Sequence, residues 1–316
     1  MKTLINTDLD SLLRVCRLCP RMCGADRSHG ETGFCRTGAM PRVALVSLHH
    51  WEEPCISGAR GSGTVFFSGC NLACVFCQNH EISQGDQGAD VSVDRLAAIF
   101  LEQQGRGAHN LNLVTPTPYV PQIIAALDIA RKSGFHLPVI YNTSAYETVE
   151  TIEMLAGWVD VYLPDLKYHS NDLATRYSHA PDYFAHALPA IQAMMDQTGP
   201  CVFDDEGLLR RGVLIRHLAL PGQSADSRRV LTAIQERFGP DIWFSLMNQY
   251  TPQPGTEAFP ELQLRLTEEE YDDLIEYALS LGLENGFIQE PGSASEDYIP
   301  TFNLSNVAAE GDGHDK

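Results

Sequence analysis

Cys70, Cys74 and Cys77 stand in the run Ser68-Gly69-Cys70-Asn71-Leu72-Ala73-Cys74-Val75-Phe76-Cys77-Gln78-Asn79, spaced C-x3-C-x2-C. Three thiolates on one short loop can hold three irons of a cubane 4Fe–4S cluster, which leaves the fourth iron without a protein ligand. Such an iron can bind a small molecule and hand it an electron, whereas a cluster with four cysteines mainly relays electrons. Zinc is the plain competitor. A structural zinc takes four tetrahedral ligands, and no further Cys or paired His follows this loop at ribbon or finger spacing. Gly69, Asn71 and Gln78 also make the loop polar, unlike a core segment with incidental buried cysteines.

A second set, Cys16-x2-Cys19-x3-Cys23 followed by Cys35, supplies four thiolates within twenty residues. That is enough to close a tetrahedral zinc site or a second 4Fe–4S cluster, and spacing alone does not choose between them. Zinc would hold the segment together, whereas a cluster could pass electrons to the open one. His50-x-Glu52 followed by Pro54-Cys55 has the look of a zinc deaminase signature, but that signature continues Pro-Cys-x-x-Cys and residue 58 is Gly. Cys201 reads as a buried apolar residue.

Other candidates lie where apolar runs end. Asp165 and Lys167 are two apart, so they face the same side of an extended segment and could clamp a zwitterion; a solvated ion pair is the competing reading. Asn142, with Thr143 and Ser144, suits hydrogen bonding to a ribose or carboxylate, or capping of the next helix. Arg216 and His217 offer cations to a carboxylate, with a satisfied core histidine the alternative for His217. Gln249 and Tyr250 complete a polar rim without an assigned role.

The elements that must position these groups alternate. Short β-branched runs at 64–67, 111–114, 137–141, 159–163, 213–217 and 242–246 are separated by helical patterns at 92–104, 121–133, 147–156, 170–178 and 224–238, with a last one at 266–281. Six such alternations predict parallel strands joined by right-handed crossovers, as either a partial barrel or a doubly wound sheet. In both, functional groups gather at the carboxyl ends of the strands. Residues 201–212 predict a β-hairpin turning near Asp204–Gly207. Residues 1–60 read as a loop-rich, Cys-rich module held by metal, residues 61–303 as the α/β domain, and residues 304–316 as a disordered tail.

The cysteine loop resembles the signature of the radical S-adenosylmethionine (radical SAM) superfamily, in which the open iron chelates the methionyl amino and carboxylate groups. Phe76 matches the aromatic residue that the family places before the third Cys, near the adenine. The resemblance implies an α/β fold, a partial (β/α)6 barrel beside the small Cys-rich N-terminal metal-binding module read above, with the cluster on the loop after the first strand. It implies reductive cleavage of S-adenosylmethionine to a 5'-deoxyadenosyl radical that abstracts a hydrogen from substrate. Thr115-Pro116-Thr117 stands where many members have Gly-Gly-Glu, so the Thr115 and Thr117 hydroxyls or the backbone would replace that contact to the SAM amine. Asp165-Leu166-Lys167, Arg216-His217 before Leu220-Pro221-Gly222, the stretch His49–Gly58, and Met247-Asn248-Gln249-Tyr250 are similar to the pyruvate formate-lyase activating enzyme-like branch. That branch implies a glycyl radical enzyme as substrate and a flavodoxin- or ferredoxin-type reductant. The same chemistry on a small molecule or another protein is the alternative, and an iron–sulfur electron carrier or metal-stabilised scaffold is the reading from a different class.

Composition bounds the rest. The formal net charge is -19 over 316 residues, with 41 acids against 22 Lys and Arg, which repels phosphate backbones and anionic membranes. No apolar run approaches a membrane span, and Asp8 and Asp10 follow Met1-Lys2-Thr3-Leu4 where a secretory signal would be hydrophobic. Seven of nine cysteines fall in two metal-spaced clusters, which favours a reducing compartment over disulfides. The expectation is a cytoplasmic protein with neither nucleic acid nor membrane as partner.

Overall fold

The computed structural model describes residues 9–289 and 300–308. Ten strands make the sheet: β1 (Arg42–His49), β2 (Ser62–Phe67), β3 (Ala89–Asp90), β4 (Leu111–Val114), β5 (Val139–Thr143), β6 (Val161–Pro164), β7 (Val202–Phe203), β8 (Leu209–Leu218), β9 (Trp243–Met247) and β10 (Gly286–Ile288). Their order is β10-β9-β8-β6-β5-β4-β2-β1-β3, with β7 paired to the start of β8. Every pairing from β2 through β4, β5, β6, β8 and β9 to β10 is parallel. β2, β4, β5 and β6 are buried at every position, as expected of a parallel sheet covered on both faces. The fold is therefore α/β with a mostly parallel, open sheet.

Helices start where the sequence offers caps. Ser92, Thr148 and Ser170 accept the amides of Arg95, Thr151 and Leu173, and Thr267 with Glu270 forms a capping box. The helices Val93–Gly105 and Val120–Lys132 bury Leu96, Phe100, Ile123 and Leu127 against the sheet. The predicted hairpin is present, β7 pairing antiparallel with β8. Among the described residues no helix is long and apolar enough to cross a membrane.

Two expectations need correction. The division at residue 60 does not follow the sheet: β1 pairs antiparallel with β2 along its length, from Val43 opposite Phe67 to His49 opposite Ser62. Its apolar side chains Val43 and Val46 join the main core, so only the segment before residue 42 stands apart from the strands. The tail is also ordered further than its composition implies. Leu304 N–H donates to Ala44 O (3.0 Å), Asn306 Nδ2 to Val46 O (2.8 Å), and Val307 is buried. Residues 309–316 lie outside the described ones.

Period-2 alternation layers the opposite face of the sheet. Ile140, Val161, Leu163 and Leu214 form an apolar floor, closed by Cys55 and Ile56 of the short helix Pro54–Ser57. Two residues further along the same strands come Asn142, Asp165 and Arg216. The floor helix thus sets Glu52 and Glu53 at the level of these polar groups.

Candidate active site

The cysteine loop continues directly from β2. Gly69 turns it with φ +83°, and a Cβ there would lie 2.6 Å from the Cys35 carbonyl oxygen, so only glycine fits. The loop is held by Gly69 N–H to Ile82 O (2.8 Å), Val75 N–H to Tyr177 O (2.9 Å) and Asn71 Nδ2 to Tyr146 O (2.6 Å). Each sulfur accepts one hydrogen bond. Leu72 N–H reaches Cys70 at 3.4 Å, the Ser178 hydroxyl reaches Cys74 at 2.9 Å and the Ser83 hydroxyl reaches Cys77 at 3.4 Å. Burial pushes all three thiols up, Cys74 to about 11 even with Lys167 pulling the other way. A metal binding here would displace their protons.

Among the described residues no three His, Cys, Asp or Glu side chains converge tightly enough for a single ion. All three sulfurs nevertheless open onto one cavity. Sulfurs ringed around a common space suit a multinuclear cluster, and three donors leave one corner free. Phe76, 6% exposed, walls the same cavity and meets Tyr168 and Tyr250 edge-on.

Thr115, Thr117, Asn142, Asp165, Lys167 and Arg216 also line this cavity, at the carboxyl ends of β4, β5, β6 and β8. Thr115 has φ +59°, a strained conformation for a β-branched residue. The Thr117 hydroxyl is committed to Glu147 Oε1 (2.6 Å), which also accepts from Thr143 (2.5 Å) and Tyr141 (3.2 Å). Burial pushes Glu147 up to about 7 although these three hydroxyls pull it down, and its Oε2 has no partner among the described residues.

Arg216 is the centre of an ion network. It contacts Asp165 (2.8 Å), Glu52 (3.0 Å) and Asn142 Oδ1 (2.6 Å), with Glu53 at 4.0 Å. Lys167 pairs with the other Asp165 oxygen at 2.8 Å, confirming that residues 165 and 167 face the same way. Burial opposes the Asp165 charge, but Arg216 and Lys167 outweigh it and hold its carboxyl below the usual range. Burial likewise opposes Lys167, and Asp165 more than compensates. Glu53, by contrast, is pushed up, because burial outweighs Arg216.

His217 corrects the expectation of a second cation at this rim. Its side chain alternates away from Arg216, and both ring nitrogens are satisfied within the core, by Leu166 O (2.8 Å) and Ser227 Oγ (2.9 Å). Burial pushes its pKa down, so it packs as a neutral ring. Glu52, Glu53 and Glu147 are participants that spacing does not single out. The signal for the first two is a pair of acids directly before a Pro-initiated apolar turn; Glu147 lies four residues beyond the polar end of β5.

The N-terminal cysteines are brought together as well. Cys16, Cys19, Cys23 and Cys35 line a smaller cavity, and Asn71 and Thr117 belong to the walls of both.

The family described as the radical SAM superfamily matches residues 64–231. An uncharacterized protein of Methanocaldococcus jannaschii is 29% identical over 284 residues, covering 87% of this chain and 77% of its own. Among solved structures, SuiB of Streptococcus suis bound to S-adenosylmethionine is 14% identical with a TM-score of 0.47, covering 71% of this chain and 49% of that one. The hydrogenase maturase HydG of Carboxydothermus hydrogenoformans is 12% identical with a TM-score of 0.49, covering 73% and 53%. The chain thus spans about half the length of these two structures.

Proposed function

This chain belongs to the radical SAM superfamily, and from that premise we propose that it activates a glycyl radical enzyme by taking a hydrogen atom from a backbone glycine of that partner. The observation that carries the cofactor chemistry is the single cavity shared by three hydrogen-bonded, half-buried cysteines, an aromatic wall and paired acids and bases. A 4Fe–4S cluster with S-adenosylmethionine would supply one-electron reductive cleavage of the sulfonium, and with it the means to take a hydrogen atom from substrate.

The residues of this chain bind and orient. Cys70, Cys74 and Cys77 would hold the cluster, with Leu72 N–H, Ser178 and Ser83 fixing their sulfurs. Phe76 offers a flat apolar face suited to a purine. Asp165 and Lys167 present an acid and an ammonium on one side, matching the opposite charges of a methionyl group. Thr115, Thr117 and Asn142 supply hydroxyl and amide groups around them, and Glu147 orients the Thr117 and Thr143 hydroxyls. A metal at Cys16, Cys19, Cys23 and Cys35 belongs to the same proposal, as does a flavodoxin- or ferredoxin-type reductant. The glycyl substrate is supported by the similarity of Asp165-Leu166-Lys167, Arg216-His217 and the His49–Gly58 stretch to the activating enzymes.

Electron paramagnetic resonance on anaerobically reconstituted, dithionite-reduced protein tests the cofactor reading. The signal should change on adding SAM, and the change should vanish in a Cys70→Ser/Cys74→Ser/Cys77→Ser variant. Reduced protein that leaves both the signal and SAM unaltered would make the chain an electron carrier or scaffold. Incubation with a glycyl radical enzyme tests the substrate: a glycyl doublet supports the proposal, and SAM cleavage without one moves the target to a small molecule or another protein.

A further inference from the structure

We propose that Cys16, Cys19, Cys23 and Cys35 hold a second iron–sulfur cluster, and that the basic surface around it receives a reduced, acidic one-electron carrier protein. The inference deepens the reading above, in which Cys70, Cys74 and Cys77 hold the cluster that meets SAM.

The segment is folded around its four thiols. Cys16 N–H donates to Ala25 O (3.1 Å), Gly24 N–H to Cys16 O (3.0 Å) and Met22 N–H to Cys19 O (3.0 Å). Met22 before Cys23 and Arg36 after Cys35 adopt left-handed backbone, with φ 43° and 58°. Non-glycine residues stay there only when their surroundings impose it. A Cβ on Gly33 would lie 2.5 Å from Cys23 Sγ, so that position keeps the sulfur's space clear. As at the first site, the cysteines line a common cavity. Zinc demands four sulfurs about 2.3 Å from one ion. Four cysteines also close every corner of a 4Fe–4S cluster, and of the two only a cluster could use a place beside the first thiol set to pass an electron.

The two thiol sets are neighbours. Asn71, next to Cys70, lines both cavities, and the Cys35 carbonyl packs on Gly69 on the other side of Cys70. Arg21 ties the module down, donating to Asn71 O (3.0 Å) and to His179 O (2.6 Å), one residue beyond the Ser178 that bonds Cys74. A single layer of residues therefore separates the sites.

The outer surface differs from the rest of the molecule. Residues 9–42 contain six arginines and three acids, in a chain of net charge -19. Arg14 and Arg17 flank Cys16 and are exposed, as is Arg36 beside Cys35. Met22, Phe34 and Met40 among them are 37–54% exposed, and Cys23 itself reaches the surface. Two of the acids are occupied locally: Asp26 accepts from Ser28 and His29, and Glu31 accepts the Asp26 amide. A basic rim around apolar side chains suits a small protein with an acidic rim. The acidic remainder of the chain repels a long polyanion, whereas a small carrier touches the module alone. In the transfer the carrier loses one electron; the second cluster gains it and gives it on to the first, with no bond made or broken and no proton required.

Iron, sulfide and zinc per chain test the metal site, and stopped-flow reduction tests the surface. Reconstituted protein should hold about eight irons, falling to about four in a Cys16→Ser/Cys19→Ser variant that keeps its SAM-dependent resonance change. A wild type with about four irons, or with one zinc per chain lost in that variant, overturns the cluster. An Arg14→Glu/Arg17→Glu variant keeps every thiol, and its reduction by a flavodoxin hydroquinone should slow at least tenfold while reduction by dithionite is unchanged. An unaltered flavodoxin rate, or an equal loss with both reductants, overturns the docking surface. Loss of the SAM response in wild type would instead refute the underlying cofactor reading, since the iron count does not depend on it.

Discussion

Arg216→Met keeps the length of the side chain and removes the charge at the centre of the ion network. The groups left behind are poorly hydrated: Glu52 is 11% exposed and Asp165 18%. Asp165 retains Lys167 at 2.8 Å, whereas Glu52 retains only the amides of Asn142 (3.2 Å) and Asn112 (3.3 Å). One buried carboxylate thus loses its counter-ion, which costs about 3–5 kcal/mol, a large share of the ~5–15 kcal/mol that holds a domain folded. With an unfolding entropy of about 2.1 cal/mol/K per residue, that corresponds to a fall in Tm of roughly 5–8 °C. Thermal denaturation of the metal-free chain, followed by circular dichroism under anaerobic conditions at pH 5 and pH 8, measures it. The pH dependence has a definite sign. In wild type the Asp165 carboxyl is held low, so its contribution is present above the unfolded value of about 3.9 and is lost only as pH falls through the lower folded value. In the variant Glu53, already pushed up by burial, loses the Arg216 charge that opposed this, so the native state binds more protons than the unfolded one and stability falls as pH rises. The gap between the proteins should be widest at pH 8. A fall of less than about 1 °C at pH 8, or the same fall at both pH values, would refute the network as the organiser of this interior.

Ser178→Ala removes the hydroxyl that bonds Cys74 at 2.9 Å and should lower the midpoint potential of the adjacent cluster in a resonance-monitored titration. A hydrogen bond of about 0.5–1.5 kcal/mol corresponds to roughly 20–65 mV for one electron, and an unchanged midpoint would show that the bond does not persist. Glu147 has its pKa raised by burial to about 7, against about 4.3 unfolded, so it lowers stability progressively as pH rises between those values. Glu147→Gln should therefore flatten the pH–stability curve there by about 3 kcal/mol, read by denaturant midpoints at pH 4.5 and pH 8. Gly69→Ala places a Cβ 2.6 Å from the Cys35 carbonyl at positive φ. The variant should fold with normal helix content yet give no SAM-dependent resonance change after reconstitution; a normal change would mean that the loop can shift.

The parallel strands and most helices are legible because each is a separate apolar run with its own cap, as Ser92 and Ser170 show. The helix Tyr183–Thr198 is hidden by Pro189 inside it, a residue that ordinarily ends a helical pattern. β1 is masked by the glycine-rich cysteine segment before it, although Arg42–His49 contains the continuous apolar run Val43–Val46. At the site, spacing identifies groups within one loop: the cysteines and the Asp165–Lys167 pair. It does not reveal which strand end meets which, so Glu52 at the side of Arg216, 164 residues away, and Glu147 beneath Thr117 emerge only from the register of the sheet. Adjacent residues on one strand are a related case. Arg216 and His217 look equivalent in sequence, yet alternation sends one into the cavity and the other into the core.

The cations of the cavity are engaged before any ligand arrives. Lys167 and Arg216 share Asp165, and Arg216 also holds Glu52. A ligand carrying one sign of charge would have to break such a pair and leave a buried partner exposed to the low dielectric, which is costly. A ligand with an amino and a carboxylate group can exchange partners instead, its carboxylate turning to Lys167 while its amino group donates to an oxygen of Asp165. The desolvation of these groups is already met in folding, so what distinguishes ligands is whether both exchanges can occur together. On the proposal that residues 165 and 167 receive a methionyl group, an amino acid carrying both charges should bind more tightly than its decarboxylated or deaminated analogue, and equal affinities would overturn it.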